Sequence, residues 1–229
     1  MEKTLPIKII AHIKTDFPTK FGLPRQSGLV SSLRGRIVFE PEYRNADALR
    51  GLDGYSHIWL LWVFSEAVRE NWSPTVRPPR LGGNKRVGVF ASRSPFRPNP
   101  IGLSSVKIEG IELSSPDGPV IIVSGADLMD GTPILDIKPY LPFTDSHPEA
   151  AGGFAQFVKD YSLDVIMPES FPADFPEELI EGLREVLSED PRPSYQEDPD
   201  RVYGFNFAGF EVKFSVSENT LKVLDITKV

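Results

Sequence analysis

The chain contains no cysteine, and only three of its 229 residues are histidine. The missing thiols exclude a disulfide-stapled scaffold, a thiolate-bound zinc or iron–sulfur site and a cysteine nucleophile. His12, His57 and His147 are never spaced i, i+4, so no histidine-based metal centre is expected. Long apolar runs are also absent. The opening MEKTLPIKIIAHIK carries charges within its apolar stretch, and the longest apolar run, residues 58–64, falls far short of the roughly 20 residues of a membrane helix. A cytoplasmic protein without a membrane partner is expected. Several catalytic signatures are missing as well. No G-x-G-x-x-G follows a strand, no G-x-x-x-x-G-K-[ST] is present, and no G-x-S-x-G elbow occurs. A Rossmann site, a Walker loop and a serine hydrolase therefore have no support.

Proline and glycine are plentiful by contrast, 22 and 18 residues, yet together they stay below the ~25–30% of disordered low-complexity chains. They are expected to shape ordered loops. The formal net charge is −7, but it is unevenly spread. Residues 1–110 carry 17 Lys+Arg against 9 Asp+Glu, and residues 111–229 carry 8 against 23. Within 69–97, Arg69, Arg77, Arg80, Lys85, Arg86, Arg93 and Arg97 stand against Glu70 alone. Arginine suits bidentate phosphate contact and base stacking, so this stretch points to a polyanion partner. The acidic run 160–200 reads as a solvated face.

Alternating β-branched and aromatic residues dominate the first 140 positions, in Ile7–Ile13, Gly35–Phe39, Ile58–Phe64, Val87–Ala91, Ser104–Leu113 and Val120–Ser124. Gly, Pro, Ser or Asp bound each run, which predicts a mainly antiparallel sheet or barrel. The apolar run after His57 predicts a central strand buried on both faces. Asn45 and Gly51 bracket one short helical turn. After Pro142 a helix is expected over 148–160, then a proline-rich connection, then a helix from Pro176 to about Ser188. Three strands follow, Tyr203–Phe207, Phe210–Val216 and Leu221–Ile226, turning at Ala208-Gly209 and Glu218-Asn219. The predicted class is mainly β, an antiparallel β-barrel over residues 1–145, a helical and Pro-rich connection over 146–175, and a small C-terminal α+β domain over 176–229.

The stretch Gly88-Val-Phe-Ala-Ser-Arg-Ser-Pro-Phe-Arg-Pro-Asn-Pro-Ile-Gly102 closely resembles the signature of the TsaA/TrmO (YaeB-like) family. Three further blocks agree in order: Pro24-Arg-Gln-x-Gly28, Gly51-Leu-x-x-Tyr-Ser-His57, and Asp127-Leu-x-Asp-Gly-Thr-Pro-x-x-Asp-Ile-Lys-Pro-Tyr140. Asp190-Pro-Arg-Pro-x-Tyr195 is similar to the motif of the longer members, so the resemblance spans nearly the whole chain.

The resemblance implies an S-adenosylmethionine-dependent methyltransferase acting on N6 of the threonylcarbamoyladenosine beside the tRNA anticodon. It also implies a single-sheeted, non-Rossmann barrel that works as a homodimer. The cofactor-contacting positions it implies are Pro24, Arg25, Gln26, Ser65, Glu66, Arg93, Leu103, Ser124, Gly125, Ala126 and Asp127. Ser65, Glu66 and Ser124–Ala126 are carried over by position alone. A sulfonium donor with an amino-acid tail calls for carboxylates near its cations, an arginine near its carboxylate and an apolar wall for adenine. Asp127 also reads as an ordinary turn aspartate. Removal of the N6 proton calls for an acceptor, with Asp130, Asp136 and Tyr140 as candidates. His57, beside a buried strand, reads as structural. Arg77, Arg80, Lys85, Arg86 and Arg97 are the RNA-phosphate candidates. The alternative is a barrel that binds cofactor and RNA without turnover.

Overall fold

The computed structural model describes residues 5–78, 85–158, 162–192, 198 and 200–229. Six strands close into a barrel: β1 (Ala11–Lys14), β2 (Arg34–Phe39), β3 (His57–Val63), β6 (Ile101–Glu112), β7 (Val120–Ser124) and β8 (Pro133–Pro139). Their order around the barrel is β1-β2-β7-β6-β3-β8, and each pairing is antiparallel. Closure leaves no free sheet edge. Inward positions alternate along the strands and fill the interior with Ile13, Ile37, Ile58, Leu60, Val106, Ile121 and Ile134, all but absent from the surface. The expectation that β3 is buried on both faces is corrected. Ile58, Leu60 and Trp62 are buried, whereas Trp59, Leu61 and Val63 are only half covered. The outer-face Trp59 donates its indole N–H to Asp145 at 2.8 Å, on the short helix α1 (Pro142–Asp145).

Between β3 and β6 a two-stranded hairpin stands apart from the barrel, β4 (Thr75–Val76) paired with β5 (Val87–Gly88). The strand expected over Val87–Ala91 is thus shorter, because the chain tightens into a 3₁₀ turn over Val89–Ala91. Asn45 caps a 3₁₀ turn over Ala46–Leu49, its side chain accepting from the Asp47 N–H at 3.0 Å. The helix expected over 148–160 is, within the described residues, a 3₁₀ segment at Gly153–Val158.

The C-terminal unit has four strands in the order β10-β11-β12-β9: β9 (Asp164–Ile166), β10 (Tyr203–Phe207), β11 (Phe210–Ser217) and β12 (Thr220–Lys228). β9 joins the edge in parallel with β12. Ala208 and Gly209 both adopt left-handed φ, 51° and 82°, the geometry of a tight hairpin turn that matches strand twist. Helix α2 (Ile180–Ser188) lays Leu183, Val186 and Leu187 on this sheet.

The connection from β1 to β2, residues 15–33, does not pack on the barrel alone. Phe17, Val30 and Leu33 are buried in the same core as Phe205, Phe207, Phe214 and Leu183 of the C-terminal unit. Gly22, at φ +83°, lies so close beneath Phe205 that a Cβ there would be 2.2 Å from the ring. Buried Gly182 of α2 likewise admits Leu33 against the helix backbone.

Candidate active site

A cleft of about 550 Å³ opens at the barrel end where β3 finishes and β6 begins. That volume is in the range of small-molecule sites. Trp62 of β3 lines the cleft, and the barrel alternation points this side chain and Ser104 of β6 inward. The Trp62 indole N–H donates to Ser104 Oγ at 2.9 Å, and Ser104 Oγ donates to Asp127 Oδ1 at 2.5 Å. Gly102 clears the space for the indole, because a Cβ at that position would meet Trp62 Cε2 at 2.2 Å. Asp127 reaches the cleft through a sharp turn after β7, in which Gly125 takes φ +75° and its carbonyl accepts the Gly28 N–H at 2.9 Å. Burial pushes the Asp127 carboxyl above its ordinary value, against the opposing pull of the Ser104 hydroxyl and of Arg93.

One wall is the loop carrying Pro24, Arg25 and Gln26, and the facing wall carries Arg93. Arg93 donates to Gln26 Oε1 at 2.6 Å, joining the two. Arg25 donates to the Asp190 carbonyl at 2.7 Å, which ties the wall to the C-terminal unit. Arg192 in turn holds the Asp190 carboxylate through two hydrogen bonds of 2.8 and 2.9 Å. The rest of the Asp190 motif, through Tyr195, lies outside the described residues. Ser65 and Glu66 sit on the 3₁₀ turn that ends β3, and both line the cleft. Leu103, half exposed, Phe64 and Met129 supply an apolar side.

Eight of the predicted cofactor positions thus share one cleft: Pro24, Arg25, Gln26, Ser65, Glu66, Arg93, Leu103 and Asp127. Ser124, Gly125 and Ala126 do not line it. Ser124 is buried and donates to Glu109 Oε1 at 2.7 Å, and Ala126 packs on the barrel core. The catalytic candidates are likewise elsewhere. Asp130 accepts from the Thr15 N–H at 3.1 Å and borders a second, shallower depression. Asp136 is engaged by Lys138 at 2.8 Å on β8. Tyr140 packs against Trp59, ring centroids 5.5 Å apart, and donates its backbone N–H to the His57 carbonyl at 3.0 Å, at the far end of β3. Among the RNA candidates, Arg77, Lys85 and Arg86 are exposed on the hairpin, Arg97 lines the cleft and donates to the Ser92 carbonyl at 3.1 Å, and Arg80 lies outside the described residues.

Sequence reasoning passed over Trp62, Phe64 and Ser104. Only Ser104 left a usable signal, a hydroxyl on the otherwise apolar inward phase of β6, directly opposite Leu60. The donor set fits S-adenosylmethionine: two arginines for a carboxylate, Asp127 and Glu66 for cationic and hydroxyl groups, and an apolar side for a purine.

Residues 12–146 match the family described as the tRNA-methyltransferase O N-terminal domain, and residues 167–229 match the TrmO C-terminal domain. The chain is 41% identical over 226 residues to the tRNA (adenine(37)-N6)-methyltransferase of Escherichia coli, covering 93% of this chain and 94% of that protein. It is 37% identical over 232 residues to a putative S-adenosylmethionine-dependent methyltransferase of Pseudomonas aeruginosa, covering 97% and 98%. The crystal structure of TrmO from the same species superposes with a TM-score of 0.81 at 32% identity, over 100% of this chain and 99% of that one. With both halves matched in order and a full-length structural counterpart, this chain belongs to the TsaA/TrmO family.

Proposed function

We propose that this chain moves the methyl group of S-adenosylmethionine to N6 of threonylcarbamoyladenosine at position 37 of tRNA. Its family makes it an S-adenosylmethionine-dependent tRNA (adenine-N6)-methyltransferase; the threonylcarbamoyl substrate and the roles of individual residues are our reading. The observation that carries it is the convergence of Arg25, Arg93, Glu66 and Asp127 on one largely apolar cleft beside an arginine-rich hairpin.

When bound, the cofactor supplies an activated methyl on a positively charged sulfur. Arg93, held by Gln26, and Arg25 are assigned to its carboxylate, Leu103 and Phe64 to its base, and Pro24, Ser65 and Glu66 to the polar rim. Transfer is an in-line displacement, so alignment of donor and acceptor supplies most of the acceleration. The urea-like N6 must lose a proton, and Asp127 is the half-buried carboxylate in the cleft. Its raised pKa makes it a stronger base than an exposed aspartate, and the Trp62–Ser104 chain fixes the carboxylate at Oδ1. Asp130, Asp136 and Tyr140, which lie outside the cleft of their own chain, would act there only from a second copy in the proposed homodimer.

The test is to incubate the chain with S-adenosylmethionine and either threonylcarbamoylated or unmodified tRNA, then digest and weigh the nucleosides. A single methyl gained on threonylcarbamoyladenosine alone supports the reading. Equal methylation of unmodified adenosine overturns the substrate while leaving the reaction class in place.

A further inference from the structure

Beside the cleft the hairpin carries two large aromatic rings that the chain leaves in solvent. Trp72 is 53% exposed and Phe90 is 74% exposed. They flank the open end of the hairpin, where Thr75 pairs with Gly88 and the Val89 N–H donates to the Pro74 carbonyl at 3.0 Å. The ring centroids are 6.2 Å apart with planes inclined by 31°. Ala67 and Ser92, which flank the hairpin in sequence, line the cleft itself. A pair of rings exposed to this degree marks a contact surface.

The charge around the pair selects its partner. Residues 69–97 hold seven cations and one acid, and exposed Lys85 and Arg86 lie on the same hairpin, with Arg86 donating to the Thr75 hydroxyl at 3.2 Å. A two-fold contact centred on this patch would set it against itself, cation facing cation. RNA brings the opposite charge together with bases that stack on aromatic faces. Stacked bases lie about 3.4 Å apart, so the space between the two rings is too narrow for a base to enter. A base would cover their outer faces.

We infer that Trp72 and Phe90 form a stacking platform for an unpaired base of the RNA substrate adjoining the methylated one. This rests on the tRNA reading above and adds a contact that depends on single-strandedness rather than on phosphate. The hairpin cations hold the backbone, and the rings distinguish an open loop from a duplex.

The experiment uses the full chain, Trp72→Ala and Phe90→Ala, binding a labelled RNA hairpin with an unpaired loop or a blunt duplex of equal length across a salt series. Calorimetry with S-adenosylmethionine confirms that each variant is folded. The expected result is a roughly 5- to 150-fold loss of hairpin affinity, an unchanged duplex affinity, an unchanged salt slope because no cation is lost, and recovery in Trp72→Tyr. Wild-type hairpin affinity in both variants, or an equal loss on the duplex, overturns the platform while the tRNA reading stands. A change in oligomeric mass in Trp72→Ala assigns the face to a second copy and overturns it too. If the unaltered chain binds neither RNA, the tRNA reading itself fails and the platform falls with it.

Discussion

Glu185 and Ser32 are joined twice: the Ser32 N–H donates to Glu185 Oε2 at 3.0 Å and its hydroxyl donates to Oε1 at 2.8 Å. The Ser31 N–H adds a third bond to Oε2 at 2.7 Å. One carboxylate on α2 thereby satisfies two consecutive amides of the loop that runs from the cleft wall into β2. Glu185→Ala is expected to cost about 1–2 kcal/mol of stability and to raise the KM for S-adenosylmethionine more than that for tRNA. Thermal unfolding together with steady-state kinetics in both substrates reads the two effects separately. Equal changes in the two KM values would place Glu185 outside cofactor positioning.

Asp127→Asn is expected to separate stability from function. Burial raises the folded-state pKa of this carboxyl above the ordinary 3.8, so the folded chain holds that proton more tightly than the unfolded chain does. The group's stabilising contribution is therefore complete below 3.8 and is lost as pH rises through its raised value. The asparagine variant should match the parent in acid and unfold at a higher temperature near neutrality, while methyl transfer collapses. Melting curves across the acid-to-neutral range test the first half, and nucleoside analysis tests the second.

Gly102→Ala places a methyl group inside the Trp62 indole, since the nearest ring atom would be 2.2 Å away. The indole must rotate, breaking the bond to Ser104. A loss of about 1–3 kcal/mol is expected, with altered near-ultraviolet dichroism and weaker cofactor binding. A parent-like aromatic spectrum would contradict this packing.

Arg93→Ala and Arg86→Ala should act on different ligands. Removing Arg93 breaks the 2.6 Å bond to Gln26 across the cleft and is expected to weaken cofactor binding on calorimetry. Removing the exposed Arg86 should weaken tRNA binding and reduce the slope of log affinity against log salt by roughly 0.7–0.9, leaving cofactor affinity unchanged. A cofactor affinity unaltered in Arg93→Ala would remove that residue from the site.

The strands with clean alternation were legible in the chain itself. Gly35–Phe39 and Val120–Ser124 fall almost residue for residue on β2 and β7. Strand β8 was not legible, because Pro133 and Pro139 stand at its ends and Asp136 and Lys138 interrupt its apolar pattern. Nor was β9, whose three residues acquire a strand conformation only from β12 beside them. The cleft was read through resemblance rather than periodicity, since its residues come from loops that are distant in sequence and share only one end of the barrel. Asp127 and Asp130 illustrate the limit. They are three residues apart in one block, yet one faces the cleft and the other the Thr15 amide on a different face. Only the course of the turn separates them.

The passage of residues 15–33 through the C-terminal core also has a meaning in time. During synthesis the barrel strands leave the ribosome well before Leu183, Phe205 and Phe214, so Phe17, Val30 and Leu33 must wait in solvent for their partners. The Arg25 bond to Asp190 closes across 165 positions of sequence, and contacts of such separation form late. A growing chain would hold a finished barrel before it holds a finished cleft, and a truncated product keeps the Pro24–Gln26 wall but lacks the Asp190 carbonyl that ties it down.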